Sequence, residues 1–290
     1  MSVPAAQVRR PARWRAALTH KSLVIGGGVV LLIAIAAILA PVLTPFDPAQ
    51  PDIANRLKSP FWMADTVPGH YLGTDQLGRD YLTRLLYGAR ISLVIGLVAV
   101  AISATIGITL GLVAGYFGGK VDAVIGFVIT TRLSMPLVLI ALAVVAIAGG
   151  SLTTVTLVIG LLIWDQFAVV TRTATQQARS ADYVRAAEAM GCSLPHILAR
   201  EILPNIMPAV IVVATVELAN AILLEAALSF LGLGVQAPLP SWGLMLSEGK
   251  NFMFFDPWLI TLPGLCLVTL TMAINLMGDG LRDALRSGRR

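Results

Sequence analysis

Long apolar runs broken by short polar stretches dominate the chain. Residues 22–44 form the first, with no charged side chain over 23 positions. About 20 such residues cross a bilayer as a helix. Arg9, Arg10, Arg13, Arg15 and Lys21 precede it. A cleaved leader fits poorly, because the run is too long and Ile38-Leu39-Ala40 is not a small-x-small site. The segment reads as a retained transmembrane helix. Ile91–Gly119 is the second run, stopped by Gly118-Gly119. Apolar character returns from Ala123 to Thr171, and Gly149-Gly150-Ser151 splits that stretch into antiparallel helices over 123–148 and 152–171. A fifth helix is expected over about Ile206–Leu231 and a sixth over Pro257–Gly278. The pattern predicts an all-α membrane protein with six transmembrane helices.

Composition agrees. The 290 residues are 57% hydrophobic and 13% charged, against about 25% charged in soluble domains. That excludes a water-soluble globule, a disordered chain and a nucleic-acid-binding domain. The net charge of +5 is distributed unevenly. With the amino terminus inside, inner segments 1–21, Lys120, 172–205 and 279–290 hold fourteen Lys and Arg, against six in 45–90 and at Lys250. Both termini are therefore expected in the cytoplasm. The plan is a tail (1–21), helix 1 (22–44), an extracytoplasmic segment (45–90), a helical core (91–278) with a cytoplasmic loop (172–205), and a tail (279–290). Cys192, Cys266, His20, His70 and His196 have no disulfide or metal-ligand spacing, so no metal site is expected.

The outer segment opens with Pro45, Pro48 and Pro51, then turns periodic at Leu77, Tyr81, Leu82, Leu85 and Leu86. That predicts an amphipathic helix on the outer membrane surface, with Asp80 and Arg84 as an i,i+4 pair. In helix 2, Ser103, Gly107, Gly111 and Gly115 recur every four residues. Such a small-residue stripe admits another helix at close range, here expected within the chain. Asp165, Glu217 and Glu225 fall inside spans, where acids usually face a bundle interior or a water-filled cavity. Glu217, Ala221 and Glu225 step around helix 5 by about 40°, with Asn220 beside them. Glu217, Asn220 and Glu225 are candidates for a translocation path, with a structural or gating role favoured for Glu225. Asp165 is expected near the inner interface beside Trp164, and Arg132 is expected to snorkel to inner headgroups. Trp62, Trp242 and Trp258 read as outer-boundary anchors.

The stretch between helices 4 and 5 is the most informative. Ser180 or Asp182 can cap a short helix holding Arg185-Ala186-Ala187, which Gly191 ends. Pro195 can start a second helix, broken at Leu203-Pro204 before helix 5. A passive connector needs no such helix–Gly–helix construction. The run Arg185-Ala186-Ala187-x3-Gly191-x11-Leu203-Pro204 resembles the "EAA" loop of ABC-importer permeases. Leu72-Gly73-Thr74-Asp75-Gln76-Leu77-Gly78-Arg79-Asp80, Glu225-Ala-Ala-Leu-Ser-Phe-Leu-Gly-Leu-Gly234 with Pro240-Ser241-Trp242-Gly243, and Asn275-Leu-Met-Gly278-Asp279-Gly-Leu-Arg282-Asp283 resemble one branch of them. That branch is the dipeptide/oligopeptide/nickel permeases, specifically the second, C-type subunit. Arg185 replaces the Glu of the loop's name, and Glu201 stands where the general pattern is aliphatic.

The resemblance implies a type I importer fold and a division of labour. A related permease subunit would complete a heterodimer, two ABC ATPase subunits would dock on the cytoplasmic side, and a solute-binding protein would deliver substrate from outside. Tyr183, Val184, Arg185, Ala186, Ala187, Met190 and Gly191 would couple the chain to the ATPases. The chain has no Gly-x4-Gly-Lys-Ser/Thr phosphate loop. It is expected to be a non-catalytic subunit without a cofactor of its own, ATP and magnesium being bound by its partners. Di- or oligopeptides are the expected cargo in a bacterial inner membrane, with nickel the alternative. A proton-coupled secondary transporter using Asp165, Glu217 and Glu225 is the rival from another class.

Overall fold

A computed structural model describes residues 20–287, which are almost wholly helical. The main helices are α1 (Lys21–Ile38), α2 (Tyr81–Phe117), α3 (Gly119–Leu133), α4 (Leu137–Ala148), α5 (Leu152–Leu162), α6 (Asp165–Arg179), α7 (Asp182–Ala189), α8 (Leu203–Phe230), α9 (Trp242–Gly249) and α10 (Trp258–Ser287). Among the described residues there is no strand, only an isolated antiparallel bridge between Thr74 and Asp80. Five helical runs are long and apolar enough to cross a membrane, and a sixth arises if the bent pair α3–α4 is one span. The tail arginines Arg9, Arg10, Arg13, Arg15, Arg289 and Arg290 lie outside the described residues.

Several expected boundaries move, each for a physical reason. The separate surface helix expected around residues 77–86 is instead the beginning of α2, which runs unbroken to Phe117. Its apolar positions Tyr81 and Leu85 pack against Trp242, Trp258 and Leu259 rather than lying on a membrane. Asp80 caps the helix by accepting from the Thr83 amide at 2.7 Å and makes no ion pair with Arg84. The third apolar run is two helices bent by 83°. Pro136 explains the break, since proline cannot donate to a helix and disfavours helical geometry in the residue before it. The fourth run reaches Arg179 as Leu152–Arg179, with a local break at Ile163 and Trp164. The expected stop at Leu203-Pro204 is absent. Leu194–Phe230 is one 37-residue run, in which Ile197–Ile202 widen to a π turn just before Pro204. A π turn re-routes the backbone hydrogen bonds that a proline would otherwise break. Finally, α10 passes through Gly278 to Ser287, because Gly278 packs against Thr215 instead of ending the helix.

Helix α2 is the spine and makes its most extensive contact with α6. The small-residue stripe lies along α6 and, at Ser103, meets α5. Ser103 donates to the Gly160 carbonyl at 2.6 Å. A Cβ on Gly111 would lie 2.6 Å from the Thr171 Cβ, and one on Gly115 2.6 Å from the Arg172 carbonyl. Only glycine allows that backbone approach. Helix α8 packs on both α2 and α10, and α1 lies along α10. Three apolar cores result. One is around Tyr81, Trp242 and Ile274, one around Ile95, Ile159 and Leu228, and one around Phe167, Ile197 and Ile206.

Candidate translocation cavity and coupling helix

Helix α7 stands at the end of the bundle where α2, α6 and α8 converge. Val184 and Ala187, three residues apart, are its buried face. They join the core of Phe167, Ile197, Ile202, Ile206 and Val210. Neither expected cap is used. Ala181 occupies the amino-terminal cap position and no side chain bonds there. The other end closes as expected at Gly191, whose φ of +75° is the left-handed conformation that glycine adopts freely. The Cys192 amide donates to the Ala187 carbonyl at 3.1 Å and the Gly191 amide to the Glu188 carbonyl at 3.0 Å. Two further ties fix the helix and its base. The Tyr116 hydroxyl donates to Glu188 at 2.8 Å, and Arg172 grips Asp122 with a second contact of 2.7 Å. Of the expected coupling residues, Val184 and Ala187 are therefore anchors. Tyr183, Arg185, Ala186, Met190 and Gly191 are exposed, Met190 by 76%. An open cleft of about 710 Å³ lies behind α7, lined by Tyr183, Asn205, Pro208 and Arg282.

A second cavity, of about 580 Å³, opens where the α3–α4 bend meets the α5–α6 junction and the middle of α8. Its polar lining is Arg132, Asp165, Gln166, Glu217 and Asn220. Arg132 does not reach outward to headgroups. The bend turns it inward, where its Nη2 donates to the Leu162 carbonyl at the end of α5. Asp165 also faces this cavity. It begins α6 near the middle of Leu152–Arg179 and is 7% exposed. Glu217 is 5% exposed and accepts from Asn220 at 3.3 Å. Glu217 and Asn220 thus meet at one cavity, with two charged residues that sequence reasoning had placed elsewhere. Glu225 does not line it. Glu225 is fully buried, with Ser229 donating at 2.8 Å and Ser92 at 3.3 Å.

The chain matches two family models. Residues 107–290 match "binding-protein-dependent transport system inner membrane component". Residues 12–60 match "N-terminal TM domain of oligopeptide transport permease C". The chain belongs to this family of inner-membrane transport components. Among similar proteins, the dipeptide transport system permease protein DppC of Haemophilus influenzae is 40% identical over 266 residues, 92% of this chain and 90% of that protein. The oligopeptide transport system permease protein OppC of Escherichia coli K12 is 42% identical over 257 residues, 89% of this chain and 84% of that protein. A solved structure of the MetNI methionine ABC transporter, inward facing, shares the fold with a TM-score of 0.56 at 18% identity, covering 71% of this chain and 97% of that one.

The permease carries a second set of buried charges that sequence reasoning missed. At the opposite end from α7, the loop before α2 folds back on itself. Asp75 accepts from the amides of Leu77 and Arg79 at 2.8 and 3.0 Å, from Arg79 Nε at 2.6 Å, and from Arg84. Glu248, at the end of α9, accepts from Arg84 at 2.7 Å and from Arg79 at 3.3 Å. The i,i+4 spacing of Asp75 and Arg79 is visible in sequence, but the partner Glu248 is 164 residues from Arg84. The tryptophans divide. Trp62 is 49% exposed, whereas Trp242 and Trp258 are buried core residues rather than boundary anchors. Trp242 donates to the Leu85 carbonyl at 2.9 Å, and Trp258 meets Tyr81 edge-on at 5.0 Å.

Proposed function

We propose that this permease is one half of the membrane channel of an ATP-driven importer for di- and oligopeptides. A related permease subunit completes the pathway. Two ATPase subunits bind ATP and magnesium and seat against the exposed face of α7. A solute-binding protein docks at the end bearing the Asp75 cluster. Both termini then lie in the cytoplasm, in keeping with the Lys and Arg distribution.

One observation carries the coupling role. Helix α7 presents Tyr183, Arg185 and Ala186 outward, with Met190 at its carboxyl-terminal cap, while Val184 and Ala187 fix it to the ends of α6 and α8. A push on such a helix moves two spanning helices rather than a loop. Alternating access is then a ligand-driven shift between two packings of the same helices. The peptide cargo rests on the names of the relatives that match nine-tenths of the chain.

The test is uptake of a radiolabelled dipeptide by the complete complex in proteoliposomes. Uptake is expected to require ATP. Ala186→Trp, which changes only the exposed face, is expected to leave the subunits associated and abolish ATP-driven uptake. Uptake without nucleotide that a protonophore collapses would instead establish the secondary-transporter reading.

A further inference from the structure

The cavity between the bent α3–α4 pair and α8 gathers Arg132 and the carboxyl groups of Asp165 and Glu217, with no ion pair among them in the described residues. Asp165 is more than nine-tenths buried, and no hydrogen bond or ion pair to its carboxylate occurs among the described residues. Glu217 has only the 3.3 Å contact from Asn220. Arg132 gives one nitrogen to the Leu162 carbonyl, and its Nε is buried without a partner. The oxygens of Asp165 keep accessible surface toward the cavity, so the carboxylate is partly desolvated and open to a partner there. The Asp75 cluster, by contrast, is linked by ion pairs. Here the charges are held apart and face a common space.

We propose that this cavity is a subsite for a short peptide with both termini free, its ammonium group held by Asp165 and Glu217 and its carboxylate by Arg132. The proposal rests on the peptide-import reading and adds which residues recognise the substrate inside the membrane. The dimensions agree. A volume of about 580 Å³ falls within the range of about 300–1,000 Å³ for small-molecule sites. An extended dipeptide reaches about 7 Å. Arg132 keeps its Nη1 donors for a carboxylate, and paired carboxylates suit an ammonium group. Gln166 and Asn220 supply neutral partners for the peptide bond.

The experiment measures ATP-dependent uptake by the complete complex of dialanine, N-acetyl-dialanine and dialanine amide. Comparing the ratio of two probes between wild type and variant cancels the preference of the binding protein. Asp165→Asn with Glu217→Gln is expected to lower the dialanine to N-acetyl-dialanine ratio about 10- to 100-fold, the loss of one charge-assisted contact. Arg132→Gln is expected to lower the dialanine to dialanine amide ratio similarly. Thermal melting of the complex supplies a second readout. Asp165→Asn is expected to melt no lower than wild type, because it removes an unpaired buried charge.

Unchanged probe ratios overturn the subsite while leaving the importer standing. Dissociation of the permease pair in Asp165→Asn also overturns it, by showing that a basic residue of the partner subunit owns the carboxylate. Absence of ATP-dependent uptake by the wild-type complex overturns the importer reading and the subsite together.

Discussion

Two groups of buried charge sit in this permease and are built in opposite ways. The Asp75–Arg79–Arg84–Glu248 group closes on itself. Asp75 and Arg84 side chains are each 1% exposed, and the two arginines bridge the two acids. The Arg132–Asp165–Glu217 group has acids almost as buried, yet no ion pair links its members. One region is thus linked by ion pairs, although Nε and Nη2 of Arg84 have no partner, and the other is not. Closure ties α9 to the start of α2 and to the preceding loop. Openness leaves a charged cavity beside the kinked helices. What distinguishes structure from recognition here is the pairing of the charges, not their burial.

The largest effect should come from breaking the closed group. Arg84→Met removes the cation that faces both Asp75 and Glu248. Both acids keep Arg79, so the loss is that of two charge-assisted contacts of Arg84, about 1.5–3 kcal/mol each. Unfolding of the purified permease in graded detergent denaturant is expected to show a loss of that size. A loss below about 1 kcal/mol would mean that the cluster is solvated and that the contrast with the cavity is false. Glu225 provides an intermediate case, an acid satisfied by the hydroxyls of Ser92 and Ser229. Ser229 in turn accepts from the Val235 amide at 3.1 Å, so the acid also organises the turn after α8. Glu225→Ala is expected to cost about 1–3 kcal/mol, the range for an unsatisfied buried polar partner. Glu225→Gln, which keeps an acceptor for Ser229, is expected to recover most of it.

The sequence reveals one kind of feature of these regions and hides another. Gly149-Gly150-Ser151 and the Ser103–Gly115 stripe report local geometry and mark a helix break and a close helix contact in the structure, whereas the charge-free runs locate helices without fixing their ends. Gly191 is legible for the same reason, since its turn needs only neighbouring backbone. The fate of an amphipathic stretch is not local. Leu85 has the same spacing whether it faces a membrane surface or Trp242, and only the packed fold decides for the latter. Arg132 carried a readable clue in Pro136, four residues on. Without the direction of the 83° bend, however, the side chain could not be aimed inward. Arg84 and Glu248 meet only because α2 and α9 do, and no spacing rule joins residues that far apart.

Asp165→Asn should reverse the sign seen at Arg84. Neutralising an unpaired carboxylate removes a desolvation cost, and substitutions that trade a functional charge for stability gain about 0.5–2 kcal/mol. The same denaturation series checks it. A loss of stability would show that Asp165 has a structural partner after all, and the two regions would then differ in degree only.

The smallest effect is the control for charge itself. Lys58 and Asp65 lie in the same loop as Asp75 and form an ion pair at 2.9 Å, but their side chains are 27% and 69% exposed. Exposed pairs contribute about 0.2–1 kcal/mol, because water replaces each partner when the other is removed. Lys58→Ala is expected to fall in that range and to fade as salt is raised to about 1 M, where the screening length is about 3 Å. The backbone of Lys58 stays tied through its amide to the Thr74 hydroxyl at 2.9 Å, so the substitution tests the side-chain pair and not the loop. A cost matching that of Arg84→Met would assign the stability of this end of the permease to loop geometry. A small, salt-sensitive cost leaves exclusion of water from Asp75 and Arg84 as the reason that their pairing holds the end of the bundle together.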